Sequence, residues 1–72
     1  MKGVEAVVIL TEVNVRLTRV NLRSQGRIDV AALAQQFDGG GHYKASGCKI
    51  YADLSTARKR ILSAFAKRVK AL

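Results

Sequence analysis

The chain of 72 residues carries 13 Lys or Arg against five Asp or Glu, and 49% of its residues are hydrophobic. This length allows one small core, and the apolar content excludes a disordered segment. The formal net charge of +8 favours polyanionic partners such as nucleic acid, nucleotides or an acidic membrane surface; the alternative is a basic surface that only confers solubility. The apolar stretch at residues 7–10 is too short for a signal peptide, and no membrane span is expected.

Two strands are predicted first, as an antiparallel hairpin. Residues 4–10 are aliphatic on both faces, which is typical of a buried strand. The apolar residues then change parity, so a turn or bulge is required near residues 13–16, before a second strand over residues 17–23.

The second predicted strand has one polar and basic face. Arg19, Asn21 and Arg23 alternate with Val20 and Leu22, so the polar side chains lie on the face opposite to the apolar ones. That face is expected to be in contact either with water or with a ligand.

A helix and a third strand are predicted next. Asp29 is the expected N-cap of a first helix over residues 30–37, whose apolar residues recur at helical spacing. This helix is expected to end at Asp38 and the glycine run, where glycine can adopt positive φ. Alternating polarity then predicts a strand over residues 46–52, with Cys48 facing inward.

Asp53 is the expected cap of a long last helix. Its apolar stripe consists of Leu54, Ala57, Ile61, Leu62, Phe65, Val69 and Leu72. Its basic residues, mostly on the solvent side, are Arg58, Lys59, Arg60, Lys67, Arg68 and Lys70. The order β-β-α-β-α predicts an α+β fold, a small two-layer α/β sandwich with both helices on one face of a mixed sheet.

The single cysteine, Cys48, cannot form an internal disulfide and fits a reducing, cytoplasmic compartment. Its alternating apolar neighbours predict a core position. A nucleophilic pair with the one histidine is the alternative, but no neighbouring group specifically lowers the pKa of the thiol.

The segment Gly39-Gly40-Gly41-His42 is the most informative motif. Three consecutive glycines are retained where side chains would obstruct the approach of another group. The exposed N–H groups of such a loop can form a nest for phosphate oxygens, and His42 adds a side-chain donor. A flexible helix-to-strand connector with an incidental histidine is an equally good interpretation. A zinc site is not expected, because the chain has no spaced second ligand pair.

Three further residues near this motif are candidate ligands for phosphate. The guanidinium fork of Arg23 suits bidentate contact with phosphate or a guanine edge, and the Ser24 hydroxyl can add a bond. The alternative is an arginine that points into water. Lys44 adds positive charge, and Tyr43 can stack on a base or pack on the first helix.

The carboxylates offer no catalytic site. They are Glu5, Glu12, Asp29, Asp38 and Asp53, two of which are expected helix caps. A two-metal phosphoesterase site needs several convergent Asp and His ligands, which these residues cannot supply. The chain is therefore expected to bind rather than catalyse, with no catalytic residue, metal ligand or cofactor of its own.

Four segments, taken in order, resemble one known pattern: NLRS at residues 21–24, DVAALA at 29–34, FDGGGH at 37–42 and ASGC at 45–48. The chain resembles the C-terminal, DHH-associated domain of the DHH phosphoesterase superfamily. The bacterial oligoribonuclease and adenosine 3′,5′-bisphosphate phosphatase type is the most similar subgroup, and the RecJ-like single-strand exonucleases are more distant. The resemblance covers essentially all 72 residues, so one substrate-binding domain over residues 1–72 is expected, with the DHH domain outside this sequence.

The resemblance implies roles for individual residues. In the family, the N-terminal domain carries manganese and the DHH motif, and the C-terminal domain closes over a cleft and holds the substrate phosphate. Arg23 and Ser24 match the substrate-contacting pair, and residues 39–42 match the glycine-histidine motif. Many members have glycine at the position of Asp38 and alanine at the position of Ser46. A carboxylate that faced the ligand would weaken binding, so Asp38 is expected to point away.

The expected function is substrate binding for a manganese-dependent phosphoesterase, with no membrane partner. Its substrate would be a short single-stranded oligonucleotide, cleaved by 3′–5′ exonuclease action, or a nucleoside bisphosphate. Arg23, Lys44 and the glycines would hold phosphate, and His42 would reach toward the scissile group. The alternative is a stand-alone nucleic-acid-binding or protein-interaction module without a catalytic partner. A self-contained enzyme is disfavoured by the missing acid–base groups.

Overall fold

The computed structural model describes residues 6–25 and 27–70, which form one sheet and two helices. The strands are β1 (Ala6–Asn14), β2 (Leu17–Ser24), β3 (Gly40–His42) and β4 (Ala45–Ile50), and the helices are α1 (Val30–Gln35) and α2 (Leu54–Lys70). The predicted α+β class is confirmed, with the chain order β-β-α-β-β-α.

The sheet has the strand order β1-β2-β4-β3 and is antiparallel throughout. The prediction of a mixed sheet is wrong because it left out β3. A single crossover from β2 through α1 to β4 would have made a parallel pair. Strand β3 adds one more reversal of the chain, so β4 returns antiparallel to β2.

The predicted change of parity corresponds to the hairpin between β1 and β2. The pairing register shifts between Glu12 and Asn14, and Asn14 then pairs with Leu17 across a two-residue turn. The backbone N–H of Arg16 donates to Oδ1 of Asn14 over 2.8 Å, which stabilises this turn. The turn and irregularity expected near residues 13–16 are therefore confirmed.

Strand β1 is covered on one face only. Ala6, Val8 and Leu10 pack against the core, but Val7 and Ile9 are 47% and 48% exposed. The prediction of a strand buried on both faces is wrong because both helices lie on the same side of the sheet. The other side of the described sheet has no layer over it.

The core lies between the sheet and the helices. Its buried apolar residues are Val20, Leu22, Ile28, Val30, Leu33, Ala34, Cys48, Ile50, Ala57 and Ile61. The stripe on α2 is only partly used, since Leu54, Leu62 and Val69 remain exposed and Leu72 is outside the described residues. Neither helix in the described part of the chain is long and apolar enough to cross a bilayer.

Helix α1 is capped by a side chain at its N-terminus and by a backbone hydrogen bond at its C-terminus. Oδ1 of Asp29 accepts from the N–H groups of Ala31 and Ala32, at 3.0 and 3.1 Å, as the sequence predicts. At the other end the N–H of Gly39 donates to the carbonyl of Ala34 over 2.9 Å. The residue with left-handed backbone is Asp38, at φ 62°, rather than a glycine of the run. This arrangement is a Schellman turn with an aspartate where glycine is preferred.

Asp38→Gly is expected to raise the free energy of unfolding by about 0.5 kcal/mol, because an L side chain at positive φ is strained. Urea unfolding of both proteins measures this difference. Asp38→Asn is the matched control and should unfold at the wild-type urea concentration, since asparagine tolerates this conformation equally well. A destabilised Asp38→Gly variant would show that the Asp38 side chain makes a stabilising contact.

Cys48 is buried in the core opposite Val20, as its alternating neighbours predict. Burial raises the pKa of the thiol above its ordinary value. Asp53, in contrast, caps α2 through a 2.8 Å bond from the Thr56 N–H to its Oδ1, and the hydrogen bonds from Thr56 lower the pKa of its carboxyl. Because the folded pKa of Asp53 is depressed, its contribution to stability is lost as the pH falls through that lowered value.

The Cys48 thiol is expected to react with a disulfide reagent at pH 8 at least about tenfold more slowly in the folded chain than in urea, because reaction requires local opening. A Ser55→Cys variant in a Cys48→Ser background supplies an exposed thiol as control. Equal rates for the two folded proteins would contradict the burial of Cys48.

Candidate functional site

The face of the sheet that both helices leave uncovered, called the open face here, holds most of the predicted site residues. Residues directly opposite each other in an antiparallel pair share a face. The pairing therefore aligns side chains in three rows across the strands. The Arg23 row contains Val7, Arg23, Ala45 and His42; the Asn21 row contains Ile9, Asn21, Gly47 and Gly40; the Arg19 row contains Thr11, Arg19 and Lys49.

Arg23 and His42, which are far apart in sequence, lie in the same row with only Ala45 between them. Both side chains are exposed. A groove of about 460 Å³, called the Arg23 groove, runs along this part of the open face. It is lined by Ile9, Asn21, Leu22, Arg23, Gly40, Ala45, Ser46 and Gly47. Small residues form its β4 wall, so the Arg23 guanidinium is accessible from the solvent side.

The fold requires glycine at two of the three consecutive glycine positions and not at the third. A Cβ at Gly39 would lie 2.2 Å from the carbonyl oxygen of Gly47, so only glycine fits there. Gly41 has φ +141°, and a Cβ would lie 2.8 Å from the carbonyl oxygen of Ala45. A Cβ at Gly40 would meet nothing within 4 Å. Folding therefore requires glycine at two of these positions, and Gly40 only leaves space at the Arg23 groove.

The glycine segment is not the loop that the sequence predicts. Gly40, Gly41 and His42 form β3 and pair with Gly47, Ser46 and Ala45. A phosphate nest needs successive N–H groups directed to one side, whereas a strand directs them alternately to its two edges. The N–H of Gly39 is also occupied by the Ala34 carbonyl. The strand pairing therefore does not favour a nest, and the space above Gly40 is the accessible part of this segment.

The His42 ring is held by its own turn. Its Nδ1 lies 3.2 Å from the backbone nitrogen of Lys44, which donates its hydrogen to the ring. In the neutral ring the proton is consequently on Nε2, which leaves an N–H donor on the far side of the imidazole. The hydroxyl of Ser46 donates to the His42 carbonyl and fixes the backbone at the same residue. The Tyr43 ring lies beside the imidazole, with centroids 4.4 Å apart.

The turn at Tyr43 and Lys44 is anchored by two backbone bonds. The N–H of Ser24 donates to the Lys44 carbonyl over 2.8 Å, and the N–H of Val30 donates to the Tyr43 carbonyl over 3.1 Å. These bonds connect the tip of the β3–β4 hairpin to the end of β2 and the start of α1. The exposed Lys44 ammonium lies 5.8 Å from the Tyr43 ring, at the tip rather than in the groove.

Ser24 is separated from Arg23 by the alternation of the strand. Arg23 is exposed on the open face, and Ser24 is only 4% exposed. The structure therefore does not bring the Ser24 side chain to the Arg23 groove; this residue meets the hairpin tip through its backbone N–H. The lining of the groove also does not include Asp38.

A second cleft of about 450 Å³, called the Tyr51 cleft, was not foreseen from the sequence. It lies beside the start of β3, where β4 continues past its last pair with that strand. Its lining includes Arg19, Asn21, Phe37, Asp38, Gly47, Lys49 and Tyr51. Alternation alone places Arg19 and Asn21 on the polar face. The pairing of β2 with β4, which no local pattern indicates, is what brings Lys49 and Gly47 beside them.

Helix α2 contributes a separate basic surface. Lys59, Arg60 and Lys67 line a groove with Ser63 and Phe37, on the helical side of the molecule. None of these three cations lines the Arg23 groove or the Tyr51 cleft.

The described residues do not assemble a metal centre. No three His, Cys, Asp or Glu side chains within residues 6–25 and 27–70 lie close enough together to hold an ion. His42 lies on the open face, and Cys48 faces the core on the other side of the sheet, so they do not form a nucleophilic pair.

The comparisons with known proteins agree with the resemblance found in the sequence. Residues 1–71 match the family model of the DHHA1 domain. No curated protein shows significant similarity to the chain. The match includes the hairpin of β1 and β2, the glycine segment at residues 39–41 and helix α2. Since it covers nearly all 72 residues, the chain belongs to the DHHA1 domain family, whose members accompany an N-terminal DHH phosphoesterase domain.

Proposed function

We propose that the open face binds the phosphate of a nucleotide or oligonucleotide on which a DHH phosphoesterase domain acts. The observation that carries this proposal is the pairing register, which sets Arg23 and His42 in one row beside the space left by Gly40. Arg23 lines the accessible groove, His42 lies beyond Ala45 in the same row, and no side chain blocks the groove at Gly40.

The chemistry of this row suits a phosphate ester. The Arg23 guanidinium donates two parallel hydrogen bonds to phosphate oxygens, which makes it a bidentate ligand. The His42 Nε2–H adds a third donor, because Nδ1 is occupied by the Lys44 N–H. Lys44 contributes positive charge at the hairpin tip. If the roles implied by the family resemblance apply, His42 would reach the scissile phosphate and Arg23 would hold the neighbouring part of the substrate.

Ser24 and the remaining glycines act on this site by positioning. The Ser24 N–H holds the Lys44 carbonyl and so fixes the distance between the end of β2 and the hairpin tip. Gly39 and Gly41 allow β3 to approach β4 closely enough to bring Gly40 to the groove. The family-derived role of Ser24 as a direct phosphate ligand would require a movement at the end of β2.

The DHH domain would supply the manganese and the catalytic groups. The described residues offer no such set, so hydrolysis is assigned to the partner domain and substrate retention to this chain. The exposed Val7 and Ile9 flank Arg23 and Asn21, and this apolar margin suits contact with the partner domain. The one buried thiol fits a reducing compartment such as the cytoplasm.

The second candidate function is a stand-alone nucleic-acid-binding module. The groove of Lys59, Arg60 and Lys67 on α2 favours it, since a basic helix face can follow a phosphate backbone without sequence preference. In that function the α2 cations would carry the binding energy, and Arg23 would contribute no more than any other surface arginine.

Arg23→Gln is expected to weaken the binding of adenosine 5′-monophosphate by about tenfold or more, since charge-assisted hydrogen bonds are lost. Amide chemical shifts in a titration of the chain would measure this, and in the wild type they should change at residues 40–45. His42→Ala should weaken binding in the same direction. Arg58→Gln, which removes one exposed charge from α2, is the control and should leave the affinity near that of the wild type.

Two results would contradict this assignment. One is an equal loss of affinity in Arg58→Gln and Arg23→Gln, which would favour a diffuse basic surface. The other is a titration in which the shifts occur on α2 and leave Gly40 and His42 unchanged.

A further inference from the structure

Strand β1 is an edge of the sheet, and in the described part of the chain no strand pairs with its outer side. The N–H of Ser24 donates to the Lys44 carbonyl, so the even-numbered residues of β2 direct their backbone groups toward the β3–β4 hairpin. Backbone groups alternate between the two sides of a strand, so the odd-numbered residues of β2 bond to β1. Their partners on β1 are also odd-numbered. The outward N–H and C=O groups of β1 therefore belong to its even-numbered residues, from residue 6 to residue 12.

This edge lacks the features that usually keep edge strands from pairing. Protected edge strands are short, or they carry proline, charged side chains or a bulge. Strand β1 has nine residues, the sequence contains no proline, and Glu12 is the only charged residue of the strand. Its irregularity lies at the far end, between Glu12 and Asn14. Residues 6–12 thus form a regular, unprotected edge.

The core is also incompletely covered along β1. On β2 the inward side chains of Val20 and Leu22 are buried. On β1 the inward side chains of Val8 and Leu10 pack against the same core but remain half-buried. The apolar layer under the helices therefore ends in a partly open margin at β1. A neighbouring strand with the same pattern of polarity would close this margin and remove apolar surface from water.

We propose that a second copy of this chain covers the edge, with the two β1 strands antiparallel around a two-fold axis at Ile9. Residues 6–12 of each copy then pair with the same residues of the other, which uses the whole regular edge. Even-numbered residues meet even-numbered residues, so the outward backbone groups of both copies find partners. The two sheets join into one sheet of twice four strands, with the helices of both copies on the same side. This inference does not depend on the proposed phosphate site.

The side chains of this register are compatible across the axis. Ile9 lies opposite Ile9 of the second copy, and Val7 lies opposite Thr11, so β-branched residues form the cross-strand pairs on the open face. Glu12 lies opposite Ala6, and the single charge of the strand does not meet itself. An uncharged edge gives no electrostatic preference for an acidic or a basic partner. Its complementarity to itself favours a second copy.

The hydrogen bonds and charges also permit this dimer. Four pairs of even-numbered residues give about eight hydrogen bonds between the copies, which is within the range of about 10 ± 5 for protein interfaces. Each copy carries a net charge of +8. Arg19 and Arg23 on β2, however, would lie three strand spacings from β2 of the second copy, about 14 Å away and beyond the Debye length of about 8 Å.

Sedimentation equilibrium of the chain should give a mass that rises with concentration toward twice the 7.8 kDa of one copy. The interface of one strand edge is small, so the concentration series extends to about 1 mM. Ile9→Lys should weaken the dimer by at least about tenfold, because two like charges would face each other at the axis. Val15→Lys adds the same charge in the exposed β1–β2 turn and should dimerise as the wild type does.

A mixture of the Ile9→Lys and Ile9→Glu variants tests the position of the two-fold axis. Each variant alone should be largely monomeric, because its introduced charge faces an identical charge. The mixture should recover the dimer, because opposite charges then lie directly opposite each other.

Disulfide formation tests the register at an edge that is otherwise unchanged. Ile9→Cys in a Cys48→Ser background should link two copies in oxidised glutathione, since opposite residues without mutual hydrogen bonds have Cα atoms about 4.5 Å apart. Val7→Cys in the same background is the matched control, because Val7 and Ile9 are 47% and 48% exposed on the same face. Its counterpart would lie four residues along the strand, about 13 Å away, so linkage should be at least about tenfold slower.

Three results would overturn this inference. A chain that stays monomeric at every concentration would leave the edge to a different partner. A dimer that Ile9→Lys does not weaken would place the contact on another surface. Linkage through Val7→Cys as fast as through Ile9→Cys would exclude the two-fold register. The phosphate site is tested separately by Arg23→Gln and His42→Ala.

Discussion

The alternation of buried and exposed residues along β2 is the constraint on which the rest of the structure depends. Val20 and Leu22 are completely or almost completely buried under the helices, and Arg19 and Arg23 are exposed on the other face. Both helices lie on one side, so the burial that holds the fold together also directs the basic residues to the open face. A shift of β2 by one residue would bury the arginines and expose the core, which ties the position of the candidate site to the stability of the fold.

The hairpin of β3 and β4 adds the second half of the site through backbone geometry. Gly39 permits contact with β4, and Gly41 adopts a conformation that other residues avoid. The hairpin tip is then fixed by bonds from Ser24 and Val30 to its carbonyls. His42 reaches the Arg23 row as a result of this packing. The histidine and the arginine are thus brought together by main-chain contacts, and neither side chain has to hold the other in place.

Local patterns in the sequence are sufficient to predict some structural features of the chain and not others. The caps at Asp29 and Asp53, the inward position of Cys48 and the polar face of β2 follow from rules that involve near neighbours, and the structure agrees with them. Strand β3 was missed because a run of glycines carries no alternation of polarity, and its pairing depends on contacts with residues 45–47. That β1 is covered on only one face depends on where the two helices pack, and this packing is determined by residues far from β1 in the sequence.

The same distinction applies to the candidate site. The resemblance to the DHHA1 family indicated Arg23 and His42, but it treated Ser24 and all three glycines as one group of ligands. The structure separates them, since Ser24 is buried and only Gly40 is free of a packing requirement. Lys49 is placed beside Arg19 by the pairing of β2 with β4, so this contact could be assigned only when the register was known.

Under the proposed function, Gly40 serves ligand binding, since folding places no demand on this residue. Gly40→Val tests it most directly, because a Cβ there meets nothing within 4 Å and β-branched residues suit a strand. The expected free energy of unfolding of this variant lies within about 0.5 kcal/mol of the wild type, as for other surface changes, and its affinity for adenosine 5′-monophosphate is expected to be at least about tenfold weaker. An unchanged affinity in this folded variant would show that Gly40 has no role in ligand binding.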